Sequence, residues 1–261
     1  MRACDKLHSL YNFSIGGMVH FSFWSMATKF HSRIYWAGLC AALLAGCGSL
    51  FAPPTATPVP TPTPIEYLGR AAKVFEGLQS VQFKLQHTGE PVVLDKQLGA
   101  KFLEAAGAYQ APDQLFAQVK VEAMGSLFTL KMLWRPEGAL MTNPITGMYG
   151  PQPAGMPLAP LALFDTATGI SHLLAAEIQN LQIAGIEEVE GAQLRHFTGD
   201  VSALALKTIL PGTLADAKLK IDLWVQVDND RLARIQVTAA GSETQLEFFG
   251  HNEPVEIPVP K

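Results

Sequence analysis

From Ser80 onward the chain repeatedly alternates apolar and polar residues at every second position. Alternation with a period of two is typical of a strand with one face in a core and the other in water. The pattern therefore predicts antiparallel strands joined mainly by hairpins, about eight to eleven in all when three weaker stretches are included. The clear stretches are residues 81–85, 119–123, 128–134, 219–227, 235–239 and 246–248, and the weaker ones are 92–94, 100–103 and 194–198.

One helix is predicted before the first strand. Thr63 can cap it, Pro64 suits its first position, and Glu66 completes a Thr-x-x-Glu capping box. Apolar residues then recur at helical spacing, which predicts one packing face. That face consists of Leu68, Ala71, Ala72, Phe75 and Leu78.

Two shorter helical segments interrupt the later strands. One runs from residue 170 to residue 178, and the other from 204 to 210, where Pro211-Gly212 ends it. Their candidate N-caps are Asp165 or Thr168 for the first, and Asp200 or Ser202 for the second. Many strands with few helices predict an α+β domain in which one antiparallel sheet curls around helices on its concave face.

A stretch rich in proline and methionine separates these regions. Residues 141–162 contain five prolines and three glycines, too many for a central strand. The stretch is also too apolar for an ordinary solvated loop. We expect a lid or rim there, with Met141, Met148 and Met156 as adaptable apolar contacts.

The N-terminal segment has the pattern of an export signal. Residues 34–44 form an apolar run of 11 residues, which is shorter than a membrane-spanning helix, and Lys29 and Arg33 precede it. Residues 1–25 fit a signal poorly, whereas a start at Met26 gives ordinary proportions. We therefore expect residues 1–46 to be a signal segment that is removed.

The signal ends in Leu44-Ala45-Gly46-Cys47, which resembles the bacterial lipobox. In such signals the cysteine sulfur receives acyl chains, such as palmitate, that anchor the protein outside the cytoplasm. The alternative is a plain signal anchor with an incidental cysteine. Residues 47–64 form the lipidated cysteine and a Pro/Thr linker of extended polyproline type, and residues 65–261 form one domain.

Charge and cysteine content narrow the function classes. The whole chain carries −4, and removal of four basic residues and one acidic residue before Cys47 leaves 15 basic and 22 acidic residues, or −7. An acidic domain without basic clusters argues against nucleic acid and against a polybasic membrane patch. Cys47 is the one cysteine left after cleavage, so neither a disulfide nor a thiolate site is expected in the domain.

Candidate chemistry is sparse, and each case has a structural alternative. Residues 187–190 hold three glutamates, best interpreted as a solvated turn, and residues 228–230 fit a hairpin turn better than a calcium loop. Trp134 and Trp224 could stack a ligand, although packing is the commoner role. No catalytic, cofactor or metal motif is present. The histidines after Cys47 are scattered, and we expect surface or hydrogen-bonding roles for His87, His172, His196 and His251.

Five short motifs occur in order along the chain: Leu78–Phe83, Gly107–Asp113, Thr142–Gly147, Gly191–Val201 and Trp224–Asp228. Together they resemble the LppX/LprA/LprF/LprG lipoprotein family of mycobacteria and other bacteria. The resemblance implies a half-barrel of the LolA/LolB type, open on one side, with helices lining an apolar cavity. It also implies binding of acylated lipids or glycolipids and transport within the cell envelope, without catalytic residues.

Three functional hypotheses remain open from the sequence. The first is a monomeric lipid carrier, which could pass its ligand to an envelope transporter. The second is a sensor or protein-interaction module with the same fold, and the third is an esterase, for which no nucleophile and base are recognisable. The residues expected to line the cavity of a carrier are Phe83, Leu85, Val121, Phe128, Leu130, Met132, Leu223, Ile170, Leu173 and Leu174.

Overall fold

The structure, a computed structural model, describes residues 61–95, 99–153, 160–206, 218–239 and 241–259. The predicted signal segment, Cys47 and most of the linker lie outside these ranges, as do Met156 and residues 207–210 of the third predicted helix. The remainder shows how the alternating pattern folds.

Helix α1 spans Pro64–Glu76 and begins at the predicted capping box. Thr63 Oγ1 accepts a hydrogen bond from the Glu66 backbone N–H at 3.4 Å, and the Thr63 N–H donates to Glu66 Oε2 at 2.6 Å. These bonds give acceptors to backbone donors that a helix start leaves unpaired. The predicted helix start is therefore confirmed.

The described residues form one antiparallel sheet of twelve strands. The first seven are β1 Ser80–Thr88, β2 Val92–Asp95, β3 Ala100–Gln110, β4 Gln114–Ala123, β5 Ser126–Arg135, β6 Gly138–Thr142 and β7 Tyr149–Pro151. The other five are β8 Gln179–Val189, β9 Ala192–Ser202, β10 Lys218–Gln226, β11 Leu232–Ala239 and β12 Ser242–Phe249. The count exceeds the expected eight to eleven because three strands match no predicted stretch: β6 and β7 lie in and beside the stretch assigned to a loop, and β8 is mostly exposed and lacks the alternation.

The strand order is β7-β6-β5-β4-β3-β1-β12-β11-β10-β9-β8, and β2 pairs with β3 beyond the end of β1. The sheet thus joins two meanders, one on each side of β1. The first strand pairs with the last, Phe83 lying opposite Phe248. Because β7 and β8 are edges, the sheet is open, and the predicted α+β fold with a curved antiparallel sheet is confirmed.

Short helical segments connect β7 to β8. A 3₁₀ helix spans Pro160–Phe164, helix α2 spans Ile170–His172, and a π-helical turn continues it over Leu173–Glu177. Gly169 is the N-cap of α2 and makes no side-chain cap bond, so the predicted Asp165 or Thr168 cap is wrong. A Cβ at position 169 would lie 2.4 Å from a backbone oxygen, and that tight turn needs glycine.

Asp165 closes the turn before α2. Its Oδ1 accepts the backbone N–H of Thr168 at 2.8 Å and that of Ala167 at 3.0 Å.

Helix α3, Ala203–Leu206, follows β9. Ser202, one of its two predicted N-caps, accepts the Ala205 N–H with its Oγ at 3.1 Å. Within the described ranges, no helix combines the length and apolar character needed to cross a membrane.

An aromatic stack fixes the helices to the sheet. The Phe164 ring lies between Phe75 of α1, at 5.7 Å between centroids, and Tyr109 of β3, at 3.8 Å. Phe75 also meets Phe248 of β12 edge-on at 5.2 Å. Such ring pairs contribute about 0.5–1.5 kcal/mol each beyond their buried area. The stack therefore holds α1 and the 3₁₀ helix against the inner face of the sheet.

The C-terminal segment after β12 runs along the opposite, outer side of the sheet. The Ser80 hydroxyl donates to the Glu253 carbonyl at 2.5 Å, and Arg135 Nη2 donates to the Pro258 carbonyl at 2.9 Å. His251 is buried beside the Leu232 carbonyl, 2.9 Å from its Nε2. Burial lowers the pKa of His251 below its ordinary value. The segment thus fastens one end of the sheet with the help of a neutral imidazole.

Candidate functional site

The inner face of the sheet is largely apolar, with Arg195 of β9 as a charged exception. Phe83 of β1 lies opposite Gly107 of β3 and Phe248 of β12, and Leu223 of β10 lies opposite Phe197 of β9. A Cβ on Gly107 would lie 3.0 Å from the Phe83 ring and 2.1 Å from a backbone oxygen of β4. Because Gly107 has no side chain, the Phe83 ring can pack against it in the core.

All ten predicted cavity residues belong to this apolar cluster or pack against it. Met132, Leu223 and Ile170 have no exposed surface, whereas Leu85 and Phe128 remain partly exposed. Most of the predicted walls are therefore packed against other side chains. A ligand between the helices and the sheet has to replace some of these contacts.

Four partly exposed apolar residues lie toward the end of the sheet where β1, β4 and β6 end and β5 begins. We call Leu85, Val92, Phe128 and Met141 the upper rim; all four pack against the core while keeping some exposed surface. Exposed apolar side chains lie at the same end of the sheet, on β2, at the start of β5 and in the turns that follow β4 and β6. They are Val93, Met124, Leu127, Ile145 and Met148.

The predicted methionine lid takes a different form. Met141 lies in β6 opposite Met132 of β5, so the prediction that it belongs to a loop is wrong. Met148 lies in the turn between β6 and β7 and is 70% exposed, whereas Met156 lies outside the described residues. The proline-rich stretch forms strands because β7 is an edge of only three residues, where a terminal Pro151 is tolerated.

A surface pocket of about 220 Å³ lies where α2 and its π-helical turn meet α3. His172 Nε2 lies 3.1 Å from Glu177 Oε1 across it. Its volume is below the roughly 300–1,000 Å³ of pockets for drug-sized ligands. The lining residues are Ala167, Thr168, His172, Leu173, Glu177, Ser202, Leu204 and Ala205.

The outer face carries a polar cluster centred on Trp224. The His196 ring stacks on Trp224 at 4.4 Å, and its nitrogens lie 2.8 Å from Glu187 and 2.9 Å from Asp222. The Trp224 indole N–H donates to Glu187 at 3.0 Å and, with the nearby His196, holds the pKa of that carboxyl below its ordinary value. Trp224 thus packs across strands, and Glu187 lies in β8 rather than in the predicted turn.

A second group, missed by the sequence analysis, lies between β9 and α1. The Arg195 guanidinium carbon is 3.7 Å from the Tyr67 ring centroid, and that of Arg70 is 4.6 Å from it. Arg70 also pairs with Asp230 at 2.7 Å. Asp230 belongs to the turn between β10 and β11, and the hairpin prediction there is confirmed. The available signal was an arginine at an inward position of a predicted strand.

These features belong to a recognisable family. The family model described as LppX_LprAFG lipoprotein matches residues 63–257, which include all twelve strands. The chain belongs to the LppX_LprAFG lipoprotein family. The resemblance drawn from the five motifs is thereby confirmed.

Relatives agree with this LppX_LprAFG assignment. LppX of Mycobacterium tuberculosis H37Rv, described as a proposed phthiocerol dimycocerosate transporter, is 25% identical over 236 residues, covering 84% of this chain and 93% of LppX. The LppX of Mycobacterium bovis BCG matches equally well.

Two crystal structures of family members share the fold. LprF from Mycobacterium bovis superposes with a TM-score of 0.64 at 19% identity, covering 77% of this chain and 98% of LprF. LppX from Mycobacterium tuberculosis gives 0.55 at 20% identity, covering 75% of this chain and 98% of LppX. The open sheet with helices on one face is therefore the architecture of this family.

Among the described residues, no group of three His, Cys, Asp or Glu side chains is arranged to hold a metal ion. The features that remain to be explained are therefore the apolar inner face, the upper rim and Arg195.

Proposed function

We propose that this lipoprotein binds acylated lipids or glycolipids on the apolar inner face of its sheet and carries them within the cell envelope. The observation that carries the proposal is the apolar inner face from β5 to β9, which Arg195 interrupts and which helical segments cover. Burial of acyl chains is non-directional and gains about 0.8 kcal/mol per CH₂. Such a site therefore needs no polar motif.

The upper rim is the proposed entrance. Its four residues already expose apolar surface next to the core, and exposed apolar side chains lie at the same end of the sheet. Entry deeper into the cluster requires α2 and its π-helical turn to move from the sheet, since their own side chains Ile170, Leu173 and Leu174 are buried in the cluster. Met141 and Met148 would adapt to the passing chain, because methionine is flexible and polarizable. LppX, described as a proposed phthiocerol dimycocerosate transporter, supports an acylated lipid as the ligand class by relationship.

We further propose that acyl chains on Cys47 hold the mature protein at the membrane. The signal would end at residue 46 and the linker would span residues 47–64, leaving the domain as a monomer outside the cytoplasm. An extended linker of this composition reaches roughly 3.1 Å per residue, or about 50 Å. This length lets the domain approach a membrane lipid or an envelope transporter while it stays anchored.

One observation favours a second candidate, a sensor or protein-interaction module. Met132, Leu223 and Ile170 are completely buried, as they would be if the protein's own side chains filled the inner face permanently. The two functions differ in whether lipid ever replaces these contacts.

The deciding experiment is lipid extraction and native mass spectrometry on the full chain purified from a membrane-containing host. The carrier proposal predicts a co-purifying lipid with at least one long acyl chain. A matched pair of variants, Leu130→Trp on the inner face and Leu133→Trp on the outer face, locates it. Lipid loss confined to Leu130→Trp supports the inner face, whereas repeated absence of lipid from the unmodified protein refutes the carrier proposal.

A further inference from the structure

Arg195 is a charged residue in an apolar position. It lies in β9 opposite Val225 of β10, which has no exposed surface. Phe197, two positions along and on the same face, is likewise completely buried and contacts the ring of Tyr67. The Arg195 side chain therefore emerges on the inner face of the sheet, beneath α1.

The contacts of Arg195 satisfy only part of its guanidinium. The Tyr67 ring accepts the face of the cation at 3.7 Å, but a ring offers no acceptor to the N–H groups at the guanidinium edge. Arg195 Nη1 is buried, and no acceptor for it exists among the described residues. A buried donor on a charged group is costly to leave unpaired. The geometry therefore indicates an acceptor from outside the chain.

Two other arginines show what Arg195 lacks. Arg70 contacts the same Tyr67 ring and also pairs with Asp230 at 2.7 Å. Arg234 lies over Trp224 on the outer face and pairs with Glu247 at 3.1 Å. Within the described ranges, Arg195 alone of these three stacked arginines has no carboxylate within ion-pair distance. Arg195 as a whole is half-buried, so what is left for a ligand is the pairing of its buried Nη1.

We infer that Arg195 binds an anionic group, a phosphate or a carboxylate, on the inner face, and that this group is the head group of the bound lipid. The inference rests on the proposed lipid-binding function and narrows its ligand class to anionic lipids. The planar guanidinium matches two oxygens of either group, and its apolar surroundings strengthen the pairing. The acyl chains of the same ligand would extend from Phe197 along the inner face.

The test compares two ligands that share a chain and differ in charge. The full-length protein is released from nonionic micelles in a native mass spectrometer after equilibration with equal amounts of hexadecyl phosphate and hexadecanol. We expect the phosphate to be retained about tenfold more than the alcohol, as a charge-assisted contact in an apolar site would produce. Arg195→Met should abolish this preference without reducing hexadecanol retention.

Control variants separate a binding role from a structural one. Arg234→Met removes the matched outer-face guanidinium and should leave the preference unchanged. Arg195→Lys keeps the charge but not the planar fork, and should retain part of the preference. Thermal unfolding followed by circular dichroism shows whether Arg195→Met folds. If it does not, Arg195→Lys provides the test.

The outcomes distinguish the inference from the function on which it rests. Retention of neither hexadecyl compound would refute the lipid-binding function itself. Equal retention of both, unchanged by Arg195→Met, would refute the anion site while leaving the carrier intact. A third arm adds inorganic phosphate alone. If inorganic phosphate displaces isotope-labelled hexadecyl phosphate as efficiently as the unlabelled compound does, the site takes a free anion. The assignment to a lipid head group is then wrong.

Discussion

Leu223→Ala tests the inner face most directly, and Leu133→Ala is its matched control. Both leucines are completely buried, one on the inner face opposite Phe197 and the other on the outer face opposite Phe116. Each change removes about three carbon groups, worth about 2.4 kcal/mol at roughly 0.8 kcal/mol per CH₂. Ladder bonds on both sides limit collapse around position 223, so the residual cavity raises the expected loss to about 3–4 kcal/mol.

We expect both variants to unfold about 10 °C lower than the parent protein, given roughly 2–4 °C per kcal/mol for a domain of this size. Their lipid retention should differ. Leu223→Ala opens apolar space where an acyl chain is proposed to lie, so retention of hexadecanol in native mass spectrometry should rise. Leu133→Ala should leave it unchanged. Equal changes in both variants would show that retention follows overall stability, and the assignment of the lipid to the inner face would fail.

Three further predictions test the fold, its pH dependence and the anchor. Gly107→Ala should lower the free energy of unfolding by more than about 2 kcal/mol in urea titrations, because its Cβ would lie 2.1 Å from the Phe116 carbonyl oxygen; Gly150→Ala, which meets nothing within 4 Å, should cost far less. Burial lowers the pKa of His251, so as pH decreases the unfolded chain binds a proton at this residue before the folded protein does. The free energy of unfolding should therefore fall as pH decreases through about 6.5. An equal fall in His251→Gln would contradict this. Cys47→Ser should move the protein from membranes to the soluble fraction with its lipid retention intact, and loss of retention would identify the anchor as the lipid contact.

Most strands were predictable because the two faces of this sheet have different surroundings, whereas β8, which is mostly exposed, carries no such alternation. Inward positions such as Phe83, Leu130 and Leu223 are apolar because they meet α1, α2 or one another, and the period of two follows directly. The same alternation placed the seven predicted strand residues of the wall in the core cluster or against it, and the three helix residues, Ile170, Leu173 and Leu174, join them. Whether the cluster is open or packed depends on how closely the helices approach the sheet, and no local pattern in the sequence encodes that distance.

Features that depend on strand register were not predictable. His196, Glu187 and Asp222 come together because β8, β9 and β10 pair in one particular alignment, which includes a bulge between Ile183 and Gly185. The unpaired state of Arg195 likewise depends on which side chains α1 places above it. Gly169 was missed as a cap because the close approach of the preceding turn, rather than a side-chain bond, selects that residue.

The two unpaired edges, β7 and β8, leave the curvature of the sheet adjustable. In a sheet closed into a ring, the number of strands and their stagger fix the interior width, and widening it breaks ladder bonds. Here a small change of twist at each pairing can move β7 and β8 apart while every hydrogen bond in the sheet is kept. A tightly packed interior is therefore compatible with binding of a bulky lipid in one fold. The free-energy cost of binding would then come from moving the helical cover rather than from opening the sheet.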